Sequence, residues 1–131
     1  LVAPEAKAIP LAHEMARQSG RNTYFLVRKA PKLYMDGVFE TEVKSITTAQ
    51  TQHLYMDGAD AAQLKGKRVL ILDDVISTGE SLRAVERLVE QASGQVVARM
   101  AVLAEGDARD RDDITVLGGI PLFHGDGTPR E

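Results

Sequence analysis

Val69-Leu70-Ile71-Leu72-Asp73-Asp74-Val75-Ile76-Ser77-Thr78-Gly79-Glu80-Ser81 decides how this 131-residue chain is read. Four apolar residues run into two adjacent carboxylates, then a turn of small residues, then a helix start rich in hydroxyls. A short apolar run bounded by turn signals reads as a strand buried on both faces, as in parallel sheets. The turn puts Ser77, Thr78, Ser81 and several backbone N–H groups at the first turn of the next helix. Those donors lack partners inside the helix and meet the positive end of its dipole, so they favour a phosphate. Gly79 lets the backbone close on an anion without a Cβ. Two carboxylates next to this cradle would repel an all-phosphate ligand. They suit one that carries hydroxyls beside its phosphate, a sugar phosphate.

Working outward, composition narrows the classes. The length predicts one domain over 1–131, and 44% hydrophobic residues with 5% aromatic predict an aliphatic core. Without cysteine there is no disulfide framework, thiolate metal site or cysteine nucleophile. A net charge of −3 argues against a general nucleic-acid binder. No apolar run is long enough to span a bilayer and no signal peptide is visible, so a soluble, cytoplasmic protein without a membrane partner is expected. Leu1 opens in what reads as strand, so a segment before it is expected to be missing.

The predicted elements alternate. Leu1–Ala3 reads as the tail of a buried strand, Ile9–Ser19 as a helix with the stripe Ile9, Ala12, Met15, Ala16, and Thr23–Val27 as a short strand. Leu33-Tyr34-Met35-Asp36-Gly37 recurs as Leu54-Tyr55-Met56-Asp57-Gly58. Asp-Gly is a tight-turn signal, so 33–56 reads as a protruding two-stranded β excursion. The motif strand is placed at Val69–Leu72, a helix at Glu80–Ala92 and a strand at Gln95–Leu103. Asp107–Asp113 is a charged turn, and its mixed-sign block Arg109-Asp110-Arg111-Asp112-Asp113 reads as solvated. Two short strands, Ile114–Leu117 and Ile120–Phe123, follow about Gly118-Gly119, with a frayed tail over 124–131. The expected fold is α/β, a doubly wound, mostly parallel sheet with ligands beyond the strands' carboxyl ends.

The motif resembles the diphosphoribose signature of the type I phosphoribosyltransferases, which use 5-phosphoribosyl 1-pyrophosphate (PRPP). The resemblance implies that Asp73 and Asp74 take the ribose hydroxyls. It implies that Val75, Ile76, Ser77, Thr78, Gly79, Glu80 and Ser81 wrap the 5′-phosphate. Glu5-Ala6-Lys7-Ala8-Ile9 resembles the pyrophosphate loop of the adenine branch, so Ala6 and Lys7 would hold pyrophosphate, with Ala8 where glycine is usual. Arg28-Lys29-Ala30-Pro31-Lys32 resembles the basic strand end of that branch, contributing Arg28, Lys29 and Lys32 to the leaving group, with Lys32 catalytic. The excursion 33–56 becomes the mobile catalytic loop. Glu42 in Thr41-Glu42-Val43-Lys44 would be its catalytic carboxylate, with Glu40 as the alternative.

The resemblance implies Mg²⁺ as cofactor. It would be carried on PRPP rather than caged by protein ligands, Asp73 and Asp74 being the carboxylates available to it. It implies a homodimer that transfers the phosphoribosyl group to a nucleobase, a purine such as adenine, in nucleotide salvage. The base-selecting hood, which in the adenine branch largely precedes the first core strand, is expected to be absent from this chain. The alternative function is a non-catalytic PRPP- or nucleotide-binding regulator or accessory protein. An unrelated nucleotide-binding α/β domain is a third. His13, His53 and His124 show no metal-ligand spacing.

Overall fold

The structure is a computed structural model and describes residues 1–43 and 51–130. Five parallel strands form its central sheet in the order β2-β1-β5-β6-β7. These are β1 (Val2–Pro4), β2 (Phe25–Val27), β5 (Arg68–Ile76), β6 (Gln95–Glu105) and β7 (Thr115–Ile120). Helix α1 (Ile9–Gln18), with its N-cap Ala8, covers one face, Ala8, Ala12 and Met15 packing with Leu72 of β5. Helix α3 (Glu80–Gln91) covers the other, with Leu82, Ala84, Val85, Leu88 and Val89 all buried. Alternation of short apolar strands with amphipathic helices produces this arrangement, because a sheet apolar on both faces needs a helical layer on each.

The sequence order reverses between β1 and β5. Chain growth runs from β1 to β2 on one side and from β5 through β6 to β7 on the other. Such a switch point opens a crevice at the strands' carboxyl ends. Here β1 pairs with β5 only at Val2 and Ile71, whereas β6 follows β5 as far as Ile76 and Ala104. The predicted end of the motif strand at Leu72 is therefore corrected. Pairing with β6 carries the strand on through the acid pair, while the β1 side of Asp73 and Asp74 is left open.

The excursion forms a separate antiparallel sheet of β3 (Phe39–Val43) and β4 (Gln52–Met56). Residues 44–50 of the proposed catalytic loop, Lys44 among them, lie outside the described residues. The inner residues of the sheet, Val43, Leu54 and Met56, belong to the main core. From α3, Arg87 donates to the Thr41 hydroxyl (3.3 Å) and the Glu42 carbonyl (2.8 Å). The base of the excursion is thus held on the body.

The repeat does not make two hairpin turns. Its second copy opens helix α2 (Gly58–Leu64), which sequence reading missed, with Asp57 as N-cap accepting from the Ala59 N–H at 3.3 Å. An Asp followed by Gly-Ala-Asp-Ala-Ala is an N-cap signal as well as a turn signal. The two copies meet: the Gly58 N–H donates to the Asp36 carbonyl (3.0 Å), and a Cβ on Gly58 would stand 2.4 Å from that oxygen.

At the other end of the chain, Gly118-Gly119 is no turn. β7 runs through both glycines, and a Cβ on Gly119 would stand 3.0 Å from the Arg109 stem. The predicted tail folds back as a hairpin of β8 (Leu122–Phe123) and β9 (Pro129–Arg130). There Asp126 Oδ1 accepts from the N–H and hydroxyl of Thr128, at 2.9 and 2.7 Å. No helix is long and apolar enough to cross a membrane among the described residues.

Candidate active site

A cleft of about 550 Å³ lies across the switch point. Its walls come from the β1–α1 loop (Glu5, Ala6, Lys7), from Lys29 after β2, from Asp73, Asp74 and Val75 of β5, and from Ser77 and Ser81 beyond. Val43, Gln52 and Leu54 of the excursion close one side, and Glu105 at the end of β6 another. A smaller hollow of about 100 Å³ adjoins it, enclosed by Asp73, Leu82 and the loop from Val75 to Gly79 with Ser81. Cations and carboxylates thus face one larger space, with an anion-sized recess at the start of α3.

Asp73 Oδ1 accepts from the Asp74 N–H at 2.8 Å. Burial, then a hydrogen bond shared with the neighbouring carboxyl and its charge, push Asp73 up to about 7, against the field of Lys29. For Asp74 burial acts in the same sense, but hydrogen bonds from the Asp73 carboxyl and the Val75 backbone, with the charge of Lys7, hold it below the usual carboxylate range. The two carboxyls therefore disfavour ionising together, and Asp73 is the one pushed toward its neutral form. Ribose hydroxyls in this cleft would meet one ready acceptor and one that becomes an acceptor as its proton leaves.

The β5–α3 loop is shaped by Gly79, the N-cap of α3, at φ +84. Thr78 is exposed, its hydroxyl a long 3.4 Å from the Glu80 N–H. Glu80 begins the helix and lines neither hollow. Ile76 is buried, so only its backbone faces the recess. Ser77 Oγ donates to Glu105 Oε1 at 2.8 Å. Sequence reading did not single out Glu105; a lone Glu ending an apolar strand carries no motif, and only its strand-end position marks it.

In the first loop, the Glu5 carboxylate accepts from the Lys29 N–H at 2.6 Å and pairs with Arg28 at 3.3 Å. These hydrogen bonds, the backbone one foremost, hold its carboxyl low. Arg28 is thereby turned to Glu5 and does not line the cleft, and neither does Lys32. Ala8, at the usual glycine position, is buried with Ala3, Ala12 and Leu72, so its methyl packs inward and takes no room from the cleft. Glu42 is exposed on β3 outside the cleft, and Glu40, also on β3, pairs with His53 Nδ1 at 2.8 Å. The structure therefore brings together Ala6, Lys7, Lys29, Asp73, Asp74, Val75, Ser77 and Ser81. Arg28, Lys32 and Glu42 stand apart from them.

No group of three or more His, Cys, Asp or Glu side chains suited to a metal exists among the described residues. Two carboxylates beside an anion-sized recess do fit Mg²⁺, which binds through one or two carboxylates and its substrate's phosphates rather than an all-protein cage.

These features define an α/β protein with a candidate ligand cleft across the switch point of a doubly wound sheet. The chain belongs to the phosphoribosyl transferase domain family, whose pattern matches residues 1–124. It is 38% identical over 105 residues to an adenine phosphoribosyltransferase of Thermotoga petrophila, covering 80% of this chain and 58% of that one. It is 31% identical over 111 residues to a hypoxanthine/guanine phosphoribosyltransferase of Methanococcus voltae, covering 85% and 55%. The crystal structure of adenine phosphoribosyltransferase from Thermoanaerobacter pseudethanolicus superposes with a TM-score of 0.76 at 28% identity, covering 91% of this chain and 69% of that one. The chain thus spans somewhat over half the length of the curated relatives it matches.

Proposed function

We propose that this chain binds PRPP in the cleft and transfers its phosphoribosyl group to a purine base, releasing pyrophosphate. The observation that carries the reading is the convergence, across one switch point, of an acid pair, an anion recess and two lysines from separate loops. Asp73 and Asp74 accept the ribose hydroxyls, and the loop from Val75 to Ser81 takes the 5′-phosphate. Ala6, Lys7 and Lys29 lie where the leaving pyrophosphate gathers charge. As the bond from the anomeric carbon to pyrophosphate breaks, a base nitrogen bonds to that carbon, and prepositioned cations stabilise the departing oxygens. Bound with PRPP, Mg²⁺ would neutralise pyrophosphate charge, with Asp73 and Asp74 as the nearby protein carboxylates.

The excursion 33–56 acts as the lid in this reading. Closure sheds water from the reacting centre; to bring the catalytic groups Glu42 and Lys32 there from outside the cleft, it must release Arg87 from the Glu42 carbonyl and carry the preceding strand end with it. A cytoplasmic homodimer belongs to the same proposal. An adenine phosphoribosyltransferase and a hypoxanthine/guanine phosphoribosyltransferase are both relatives, which supports a purine as the acceptor.

The non-catalytic PRPP-binding reading is kept for a specific reason. Arg28 is committed to Glu5 and Lys32 stands off the cleft, which leaves Lys7 and Lys29 as its lining cations among the described residues. Titration with PRPP and Mg²⁺, followed by assay of pyrophosphate release with adenine, hypoxanthine or guanine, separates the two. Base-dependent release supports the transferase. Tight PRPP binding without release supports the regulator, and no PRPP binding defeats both.

A further inference from the structure

We infer that Arg111 is a positioning residue of the phosphate loop, holding Gly79 from outside the cleft so that the loop keeps the shape a 5′-phosphate needs. The inference rests on the reading of that loop as a phosphate site.

The mixed-sign block 109–113 reads in sequence as a solvated turn. In the fold its first two residues end a 3₁₀ turn, Gly106–Asp110, that follows β6, and Arg111 comes directly after it. The Arg111 side chain is only 31% exposed. Its guanidinium is locked in a fork: Nε donates to Asp113 Oδ1 at 2.8 Å and Nη2 to Oδ2 at 2.6 Å. A bidentate pair of this kind fixes direction as well as distance. That leaves Nη1, which lies 2.6 Å from where a Cβ on Gly79 would stand. The guanidinium thus fills the space that a side chain at Gly79 would need.

Arg111 lines neither the cleft nor the recess, so the contact is on the loop's outer side. The contact is packing against Gly79 rather than a hydrogen bond. At φ +84 Gly79 is the N-cap of α3 without any side-chain cap, and glycine is the residue whose backbone is least restrained by itself. The other charges around Arg111 are Asp113, its partner, and Glu86 of α3, which is itself bound to Arg99 of β6 at 2.5 Å. Arg111 is therefore close to neutralised, and its contribution is to loop geometry more than to net field. Ser77, gripped by Glu105 of the same strand end, is the loop's other tether. The β6–β7 connection holds the phosphate loop at two points.

Calorimetric titration of the full chain with ribose 5-phosphate, and separately with pyrophosphate plus Mg²⁺, tests this. Arg111→Gln is expected to weaken ribose 5-phosphate binding roughly five- to twenty-fold while leaving pyrophosphate within about two-fold, the range set by having to order one backbone residue on binding. Arg111→Lys is expected to fall between, and Asp113→Asn to mimic Arg111→Gln in part. Circular dichroism of each variant monitors folding. Ribose 5-phosphate binding unchanged in Arg111→Gln, or an equal loss for both ligands, overturns the inference. A wild-type chain that fails to bind ribose 5-phosphate overturns the phosphate-loop reading itself, a result distinct from wild-type binding that the variant matches.

Discussion

Ser77 and Glu105, 28 residues apart, meet at 2.8 Å, the serine hydroxyl donating to the carboxylate at the ends of adjacent parallel strands. A negative charge thus stands on the wall of the proposed anion site. It orients the hydroxyl and opposes the ligand at once. Glu105→Gln keeps an acceptor for Ser77 and removes the charge. Ribose 5-phosphate affinity, measured by calorimetry, should rise two- to five-fold, the ~0.5–1 kcal/mol of a partly solvated charge. A fall in affinity would mean that the carboxylate itself is required.

The raised ionisation of Asp73 makes binding pH-dependent. Asp73 sits at about 7 in the folded chain, so between the ordinary carboxylate value near 4 and pH 7 the native state holds a proton the unfolded chain has lost. The stability this group contributes is full below the ordinary value and is lost as pH rises through 7. Ribose hydroxyls need acceptors, so binding favours the ionised pair and runs the other way. Ribose 5-phosphate affinity should rise from pH 6 to 8 with proton release, seen in titrations run in buffers of different ionisation enthalpy. Asp73→Asn should lose the part of that release which exceeds the phosphate's own second ionisation, near pKa 6.

Gly79→Ala places a Cβ at φ +84, where an L-residue is strained, and 2.6 Å from Arg111 Nη1. The left-handed conformation alone costs about 1–2 kcal/mol. A urea midpoint lowered by at least that equivalent is expected, together with weakened ribose 5-phosphate binding.

Leu88 is fully buried under the sheet, in the cluster that also takes in Val69, Ile71 and Val85. Leu88→Ala should cost about 2–5 kcal/mol in chemical unfolding, the cost of lost burial plus a cavity. Ligand affinity of the folded fraction should be unchanged, since α3 meets the site only at its first turn.

The five-stranded sheet and both covering helices were legible in sequence because apolar runs and a 3.6-residue stripe carry them directly. The acid pair and its loop were legible because charge and helix-start donors sit in one continuous stretch. What stayed hidden depends on chain segments meeting. Asp57 reads as turn or cap until Asp36 and Gly58 are seen in contact. Gly118 and Gly119 read as a turn until the Arg109 stem is found lying over the second. Glu105 and Arg111 have no local pattern at all; each matters through a residue some 30 positions earlier. Among the basic residues, composition could not show that Arg28 is turned to Glu5 while Lys29 faces the cleft.

The central claim is that Asp73 and Asp74 hold a ribose whose phosphate lies in the adjoining loop. Its most direct test is ribose 5-phosphate affinity of the double variant Asp73→Asn/Asp74→Asn, measured beside the wild type, with circular dichroism confirming the fold. Loss of measurable binding in a folded variant is the predicted result. Wild-type affinity in the double variant would contradict it.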